Sequence, residues 1–352
     1  MYERSPWTPA FAGVTKAKIA NAVGTILLCA SVTFAAFSAH AEHIKIGGAK
    51  TASGGPGYIA IEKGYFREVG LDAEMVFFDS AMPIAVAAVS GDIDIGSTGL
   101  SAGFYNLAGQ GALRIIGAQG REAPGFHTIG YFVARRAFDA GLKSLRDLGG
   151  HTIGLSQFGT PGHYVLGATA EKYGIDLAMI HIVALQSVAN SLSAMKGGQA
   201  DGTVTVLATP LIPYIDRGDV RVLAWVGDEI ALQDRAIFVA TKTADERRGM
   251  VERFLAAYRK GAQDYHDAFI GPDERPKDGP TAAATIALIA KYVAQSPADV
   301  RGGIAYIDPS LRVNIADILR QIAWYKAQGM LKPDMNGEAI IDKRYVVPLP
   351  PR

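Results

Sequence analysis

Apolar residues recur at helical spacing at the start of the chain's longest patterned stretch. Tyr58, Ile61 and Tyr65 fall on one face of residues 58–69, and charged residues fill the other face. This pattern predicts an amphipathic helix. Gly70 ends it, because glycine readily takes the positive φ found after a helix terminus. A run rich in apolar and aromatic residues at 73–78 then predicts a strand.

A second helix and a second strand follow this pair. Asp79 or Ser80 is the expected N-cap, Gly91 ends the helix, and residues 92–95 form a short strand. Strands that alternate with helices pair in parallel through right-handed crossovers, which brings their carboxyl ends to one edge of the sheet. We expect a ligand at that edge.

The same order of elements returns later in the chain. Residues 171–176 (EKYGID) repeat the pattern of residues 62–72 (EKGYFREVGLD), and residues 197–204 (GGQADGTV) repeat that of residues 90–97 (SGDIDIGS). A strand and a helix of small residues lie between the members of each pair. The repetition predicts two similar α/β lobes.

Three stretches resemble one protein family. Residues 60–72 (AIEKGYFREVGLD) and 90–94 (SGDID) are similar to the first lobe of NMT1/THI5-like periplasmic substrate-binding proteins, which serve ABC importers of sulfonates, nitrate, taurine and thiamine precursors. Residues 144–156 (SLRDLGGHTIGLS) resemble the family's entry into the second lobe. The resemblance covers residues 43–270 and specifies the family better than the ligand.

The resemblance implies a type II periplasmic-binding-protein fold. In that fold each lobe has a mainly parallel sheet flanked by helices, and a helical C-terminal tail packs on lobe one. We expect hinges near residues 134–141 and 228–236, and closure of the lobes over a ligand. The implied segments are a signal peptide at 1–41, the first part of lobe one at 42–134, lobe two at 135–235, and a return strand with C-terminal helices at 236–352.

The N-terminal residues read as a secretory signal. Lys16 and Lys18 precede an apolar run at 26–37, and the small residues Ala39 and Ala41 suit a signal peptidase, so we expect cleavage after Ala41 and a periplasmic protein. Residues before Lys16 form an unusually long lead, which we interpret as an over-extended start.

The single cysteine, Cys29, lies inside this apolar run. The mature protein is therefore expected to have neither a disulfide nor thiol chemistry. A lipid anchor on Cys29 is the weaker alternative, because Leu28 is not the small residue that lipoprotein cleavage requires.

Composition narrows the classes of partner. The formal net charge is +1, and the chain has no basic stripe of the kind that nucleic-acid binding requires. No histidine pair or acidic cluster has metal-ligand spacing, so we expect neither metal nor cofactor. The expected partners are a small-molecule ligand and, by resemblance, the permease of an ABC transporter in the inner membrane. The receptor is expected to be a monomer.

Candidate ligand contacts follow the predicted strands. Arg121 is the expected anion-binding residue, because a guanidinium holds a carboxylate or sulfonate by two parallel hydrogen bonds. Helix starts at 97–99 and 159–162 would add N–H groups that favour the same charge. Tyr58 and Phe158 would face the ligand's apolar body. The remaining candidates are Thr51, Ser53, Ser97, Thr98, Gly99, Gln119, Gly159, Thr160, Ser187, Asn190, Thr205 and Leu207.

Two alternatives stay open. Residues 99–103 (GLSAG) match the Gly-x-Ser-x-Gly elbow of hydrolases, with Ser101, Asp201 and His266 in the required order, which would make the protein a secreted serine hydrolase. The other alternative is a receptor for a thiamine pyrimidine precursor, held by Asp79 or Glu122. A pyrimidine synthase of this family would need a cysteine-rich iron motif, which the mature chain lacks.

Overall fold

The computed structural model describes residues 41–207 and 209–350. Residues 1–40 of the predicted signal segment, and with them Cys29, lie outside these residues. Within them, no helix has both the length and the apolar character needed to cross a membrane.

The described residues form an α/β fold whose strands belong to two sheets. In chain order the strands are β1 (Glu42–Gly48), β2 (Leu71–Phe77), β3 (Ile95–Gly99), β4 (Leu113–Gly120), β5 (Ile129–Ala134), β6 (Thr152–Leu155), β7 (His181–Ala184), β8 (Gly202–Val206), β9 (Val220–Trp225) and β10 (Arg235–Ala240).

Helices flank both sheets. In chain order they are α1 (Gly55–Glu62), α2 (Tyr65–Glu68), α3 (Ala81–Ser90), α4 (Ala102–Gly109), α5 (Arg135–Asp139), α6 (Pro161–Tyr173), α7 (Val188–Gly197), α8 (Ile212–Asp216), α9 (Val226–Glu229), α10 (Thr241–Glu246), α11 (Arg248–Phe269), α12 (Ala282–Val293), α13 (Pro297–Gly302) and α14 (Ile315–Ala327).

The two sheets have the same topology. The first has the order β2-β1-β3-β10-β4, and the second has the order β7-β6-β8-β5-β9. In each sheet three successive strands pair in parallel, and one strand that arrives from the other lobe runs antiparallel between two neighbours. The repetition seen in the sequence is therefore a repetition of structure.

The first crossing between the sheets differs from the prediction. Strand β5 pairs with β8 and β9 in the second sheet, although the predicted boundary at residue 134 assigned it to lobe one. The chain therefore passes between the sheets at 121–128, ahead of the predicted hinge at 134–141. The return passage lies between β9 and β10, where the second hinge was predicted. The predicted boundary was wrong because β5 is apolar throughout, so its sequence does not show which sheet it joins.

Local boundaries also shifted near the ligand edge. The predicted helix over 58–69 is two helices, because Gly64 takes a left-handed conformation between α1 and α2. Strand β3 runs on to Gly99, so residues 97–99 form the end of a strand and not a helix start. Helix α4 begins only after Ser101, whose hydroxyl accepts a hydrogen bond from the Phe104 N–H.

The C-terminal helices do not all stay on lobe one. Helix α11 packs against α1 and α2, as expected for a tail on that lobe. Helix α14 instead contacts α4 of lobe one and α6 of lobe two. The last helix of the tail therefore touches both lobes.

Candidate functional site

Two adjoining cavities lie where the lobes meet. The inner cavity, of about 390 Å³, is lined by Gly99, Asp234 and Arg235 of lobe one and by residues 160–162 and 186–188 of lobe two, among others. The outer cavity, of about 330 Å³, is lined by residues 50–53, Thr128, Val206, Leu207, Arg235, Gln295 and Asp299, among others. Both cavities are of the size that small organic ligands occupy.

Arg235 lies where the two cavities meet. It is the first residue of β10 and lines both cavities. Because β10 runs antiparallel, its first residue lies at the edge where the parallel strands end. The Arg235 side chain is 18% exposed, and its Nε lies 3.1 Å from Oδ2 of Asp234. The guanidinium is thus anchored on one side and can still reach a ligand.

Lobe two presents two helix starts to the inner cavity. Thr160 precedes α6, but its hydroxyl donates to the Gln157 carbonyl at 2.8 Å and does not cap the helix. Ser187 caps α7 by accepting the Asn190 N–H at 3.1 Å. Helix starts carry partial positive charge, so α6 and α7 favour an anion in the space that Arg235 borders.

A buried pair of carboxyl groups lies behind Arg235. Glu122 is 3% exposed and accepts hydrogen bonds from the Thr128 hydroxyl and the Ile129 N–H. Burial, together with the charge of Asp234, raises the pKa of Glu122 to about 8. Burial also raises the pKa of Asp234, against the opposing effect of Arg235. Glu122 is therefore mainly protonated at neutral pH, which limits the negative charge near the cavity.

Part of the predicted site is gathered at these cavities. The candidates that line one or both of them are Thr51, Ser53, Gly99, Thr160, Ser187, Thr205 and Leu207. They come from both lobes and from the ends of several strands, as the expected ligand edge requires.

Tyr58 lies in the core behind the outer cavity. It is fully buried and stacks on Tyr292 with ring centroids 4.6 Å apart. Its hydroxyl donates to the carbonyls of Ala49 and Thr51. Tyr58 therefore supports the loop that lines the cavity and does not present its ring to a ligand.

Arg121 does not occupy the predicted position. Its guanidinium carbon lies 4.0 Å from the ring centroid of Tyr306, and its Nη2 lies 3.8 Å from Oε2 of Glu274. Arg121 lines neither cavity. Residue 121 follows β4 at the start of the crossing, and the C-terminal segment that carries Tyr306 packs there and takes up the side chain.

The other candidates line neither cavity. Ser97, Thr98 and Gln119 are buried strand residues, and the Gln119 amide donates to the Ser53 carbonyl at 3.4 Å. Phe158 is 54% exposed and packs edge-on against His163, while Gly159 donates to the His163 ring. The Asn190 side chain donates to the Leu185 carbonyl.

Sequence reasoning missed Arg235, Asp234, Ser156 and Gln186. Arg235 had a detectable signal, because the predicted return strand must run antiparallel and so must start at the ligand edge. Gln186 had none, since its φ of +67° in a non-glycine residue is visible only in the structure.

The three hydrolase candidates have separate partners. Ser101 caps α4 with an extended φ of −129° and lacks the strained turn of a nucleophile elbow. Asp201 pairs with His151 and Arg136, and His266 lies beside Asp267. The structure does not bring these side chains together as a triad. Nor, in the described part of the chain, are three or more metal-ligating side chains clustered.

The fold is shared with periplasmic binding proteins of known structure. The aliphatic sulphonate binding protein SsuA from Escherichia coli matches with a TM-score of 0.67 at 21% identity, over 87% of this chain and 97% of that protein. SsuA from Xanthomonas axonopodis pv. citri, bound to MOPS, matches with 0.63 at 20% identity over 85% and 98%. The nitrate-binding protein NrtA from Synechocystis PCC 6803 matches with 0.61 at 13% identity over 85% and 84%.

One of the two sequence comparisons identifies the family. No curated protein sequence matches this chain. The profile described as NMT1/THI5 like matches residues 53–268, which is more than half of the chain. The chain belongs to the NMT1/THI5-like family.

Proposed function

We propose that the protein is the periplasmic solute receptor of an ABC importer, and that its ligand is a small organic anion with an apolar body. One observation carries the proposal. Among the residues that the structure describes, Arg235 is the only charged one that borders both cavities, and two helix starts of the opposite lobe face the same space.

The lining supports an anion with an apolar body. Val188, Val204 and Ile129 border the inner cavity and suit apolar groups, while Ser187 and Thr160 supply hydroxyls. A sulfonate or carboxylate placed against Arg235 would accept hydrogen bonds from its remaining guanidinium donors. The relatives in the fold comparison are two sulfonate-binding proteins and one nitrate-binding protein, and the ligands in their names are anions.

The proposal includes a partner, the membrane permease, and a motion, the closure of the two lobes. The receptor delivers its ligand to a membrane permease, and the lobes close over the ligand by bending at 121–128 and 226–234. A thiamine pyrimidine precursor fits the lining less well. Glu122 is already held by Thr128 and Ile129, and Asp79 is exposed.

A thermal-shift screen tests the receptor function. The panel contains alkyl and aryl sulfonates, matched carboxylates, nitrate and thiamine pyrimidines. A ligand bound only to the native state at a hundred times its Kd stabilises the protein by about 2.7 kcal/mol, which is easily detected. We expect stabilisation by sulfonates or carboxylates. Stabilisation by pyrimidines alone would overturn the anion assignment.

A turnover assay covers the enzymatic alternative. The protein and its Ser101→Ala variant are incubated with ester substrates. We expect no product from either protein. Hydrolysis that is lost in Ser101→Ala would replace the receptor with a serine hydrolase.

A further inference from the structure

Helix α14 connects the two lobes through buried polar side chains. Asp317, near its start, is fully buried. Its Oδ1 accepts the Tyr164 hydroxyl of lobe two at 3.2 Å, and its Oδ2 accepts the Gln233 N–H of the return passage at 2.7 Å. One carboxylate thus holds a lobe-two helix and the passage between the lobes.

The next turns of α14 extend this connection to lobe one. Gln321 is also fully buried and donates to Asp317 at 2.8 Å and to the Gln233 carbonyl at 2.8 Å. Its side-chain oxygen accepts the hydroxyl of Tyr105, a residue of α4, at 2.9 Å. Because buried polar groups are costly to leave unpaired, this network favours one arrangement of the three segments.

The end of α14 reaches the wall of the inner cavity. The Tyr325 hydroxyl donates to the carbonyl of Thr160 at 2.8 Å, and Thr160 lines that cavity. Trp324 lies so close to Gly167 of α6 that a Cβ there would come within 2.3 Å of its ring. Helix α14 therefore packs closely on α6 and also fixes the backbone just before it.

We propose that α14 is a strap that holds the start of α6 at the ligand cavity, with Tyr164 of α6 and Tyr325 of α14 as the positioning residues that join it to lobe two. The effect on ligand binding rests on the proposed function. The claim that α14 holds the start of α6 rests on the contacts of α14 alone. The strap fixes one side of the cleft, so opening takes place by rotation about α14 and the two crossing segments, and the start of α6 keeps its place near Arg235.

Three tyrosine-to-phenylalanine variants test the strap, because each removes one hydroxyl and leaves the ring. Tyr164→Phe and Tyr325→Phe, the lobe-two variants, each remove a hydrogen bond between α14 and lobe two. Tyr105→Phe is the matched control, since it removes a hydrogen bond to the same helix from the lobe-one side. Amide hydrogen exchange of residues 156–173 in the ligand-free protein is the first readout.

We expect exchange in residues 156–173 to rise about fivefold in both lobe-two variants, the effect of losing one net hydrogen bond, and to change by less than about twofold in Tyr105→Phe. The Kd for the anion found by the screen should rise about threefold to fivefold in the lobe-two variants only. All three variants should lower the melting temperature by similar amounts. If one lobe-two variant fails to fold, the other decides.

Equal exchange in all three variants would overturn the strap and leave only a general stabilising role for these hydroxyls. The exchange measurement needs no ligand. A screen without hits would therefore defeat the proposed function and leave the strap standing, while unchanged exchange together with normal binding would defeat the strap alone.

Discussion

The two walls of the cleft differ in chemistry, although they stand on sheets of identical topology. Lobe one contributes ionisable groups, with the Asp234 and Glu122 carboxyls almost fully buried and Arg235 partly exposed beside Asp234. Lobe two contributes helix starts and hydroxyls such as Ser187, which is exposed. The fold sets where the ligand edge lies. The residues at that edge give the two walls different chemistry.

This difference assigns a role to each wall. Under the proposed function, the partly buried charge of Arg235 would interact strongly with a ligand of complementary charge, so we expect lobe one to govern which charge is accepted. Backbone N–H groups and small hydroxyls adapt to several ligand shapes, so we expect lobe two to govern how the ligand is enclosed. The comparison can be sharpened by changing one wall at a time.

The largest expected effect concerns Glu122 of the lobe-one wall. Its folded pKa of about 8 lies above the ordinary value of 4.5, so its protonated form stabilises the native state at low pH. That stabilisation is lost as the pH rises from about 4.5 through 8, at up to about 1.4 kcal/mol per pH unit. Denaturant unfolding at several pH values should show a shallower decline in Glu122→Gln than in the wild type.

Glu229 of lobe two provides the matched control. Burial opposes ionisation there, but hydrogen bonds from Lys172 and Tyr173 outweigh it and lower the pKa of Glu229. Its contribution to stability is therefore lost only as the pH falls through that lowered pKa. Glu229→Gln should keep the wild-type slope between pH 5 and 8. The same slope in the wild type and Glu122→Gln would contradict the assignment of a buried, protonated Glu122.

A smaller effect is expected for Ser187 of the lobe-two wall. Its hydroxyl caps α7, and Ser→Ala at an N-cap typically costs about 1 kcal/mol of stability. The Ser187 side chain also lines the inner cavity, so Ser187→Ala should weaken ligand binding by less than about tenfold. Ser144→Ala, which removes a cap away from the cavities, should cost similar stability and leave affinity unchanged. Equal affinity in all three proteins would remove Ser187 from the site.

The sequence predicted the repeated α/β pattern and the family, because hydrophobic periodicity and glycine positions are local properties. Seven of its fifteen candidate contacts line the two cavities, and the ligand edge itself stays a prediction. The sequence could not place Arg121, since its position depends on a contact with Tyr306, a residue far along the chain. Strand β5 was assigned to the wrong lobe for a related reason, because its strand partners are not encoded in its own pattern.

The most direct test compares two arginines by calorimetry. Arg235 borders both cavities, whereas Arg121 is 9% exposed and stacks on Tyr306 outside them. With the anion found by the screen, Arg235→Gln should weaken binding by about thirtyfold or more, because removing one partner of a buried charged contact costs about 2 to 5 kcal/mol. Arg121→Gln should change the Kd by less than about threefold. Near-wild-type affinity in Arg235→Gln, or a larger loss in Arg121→Gln, would contradict the claim that Arg235 holds the anion between the lobes.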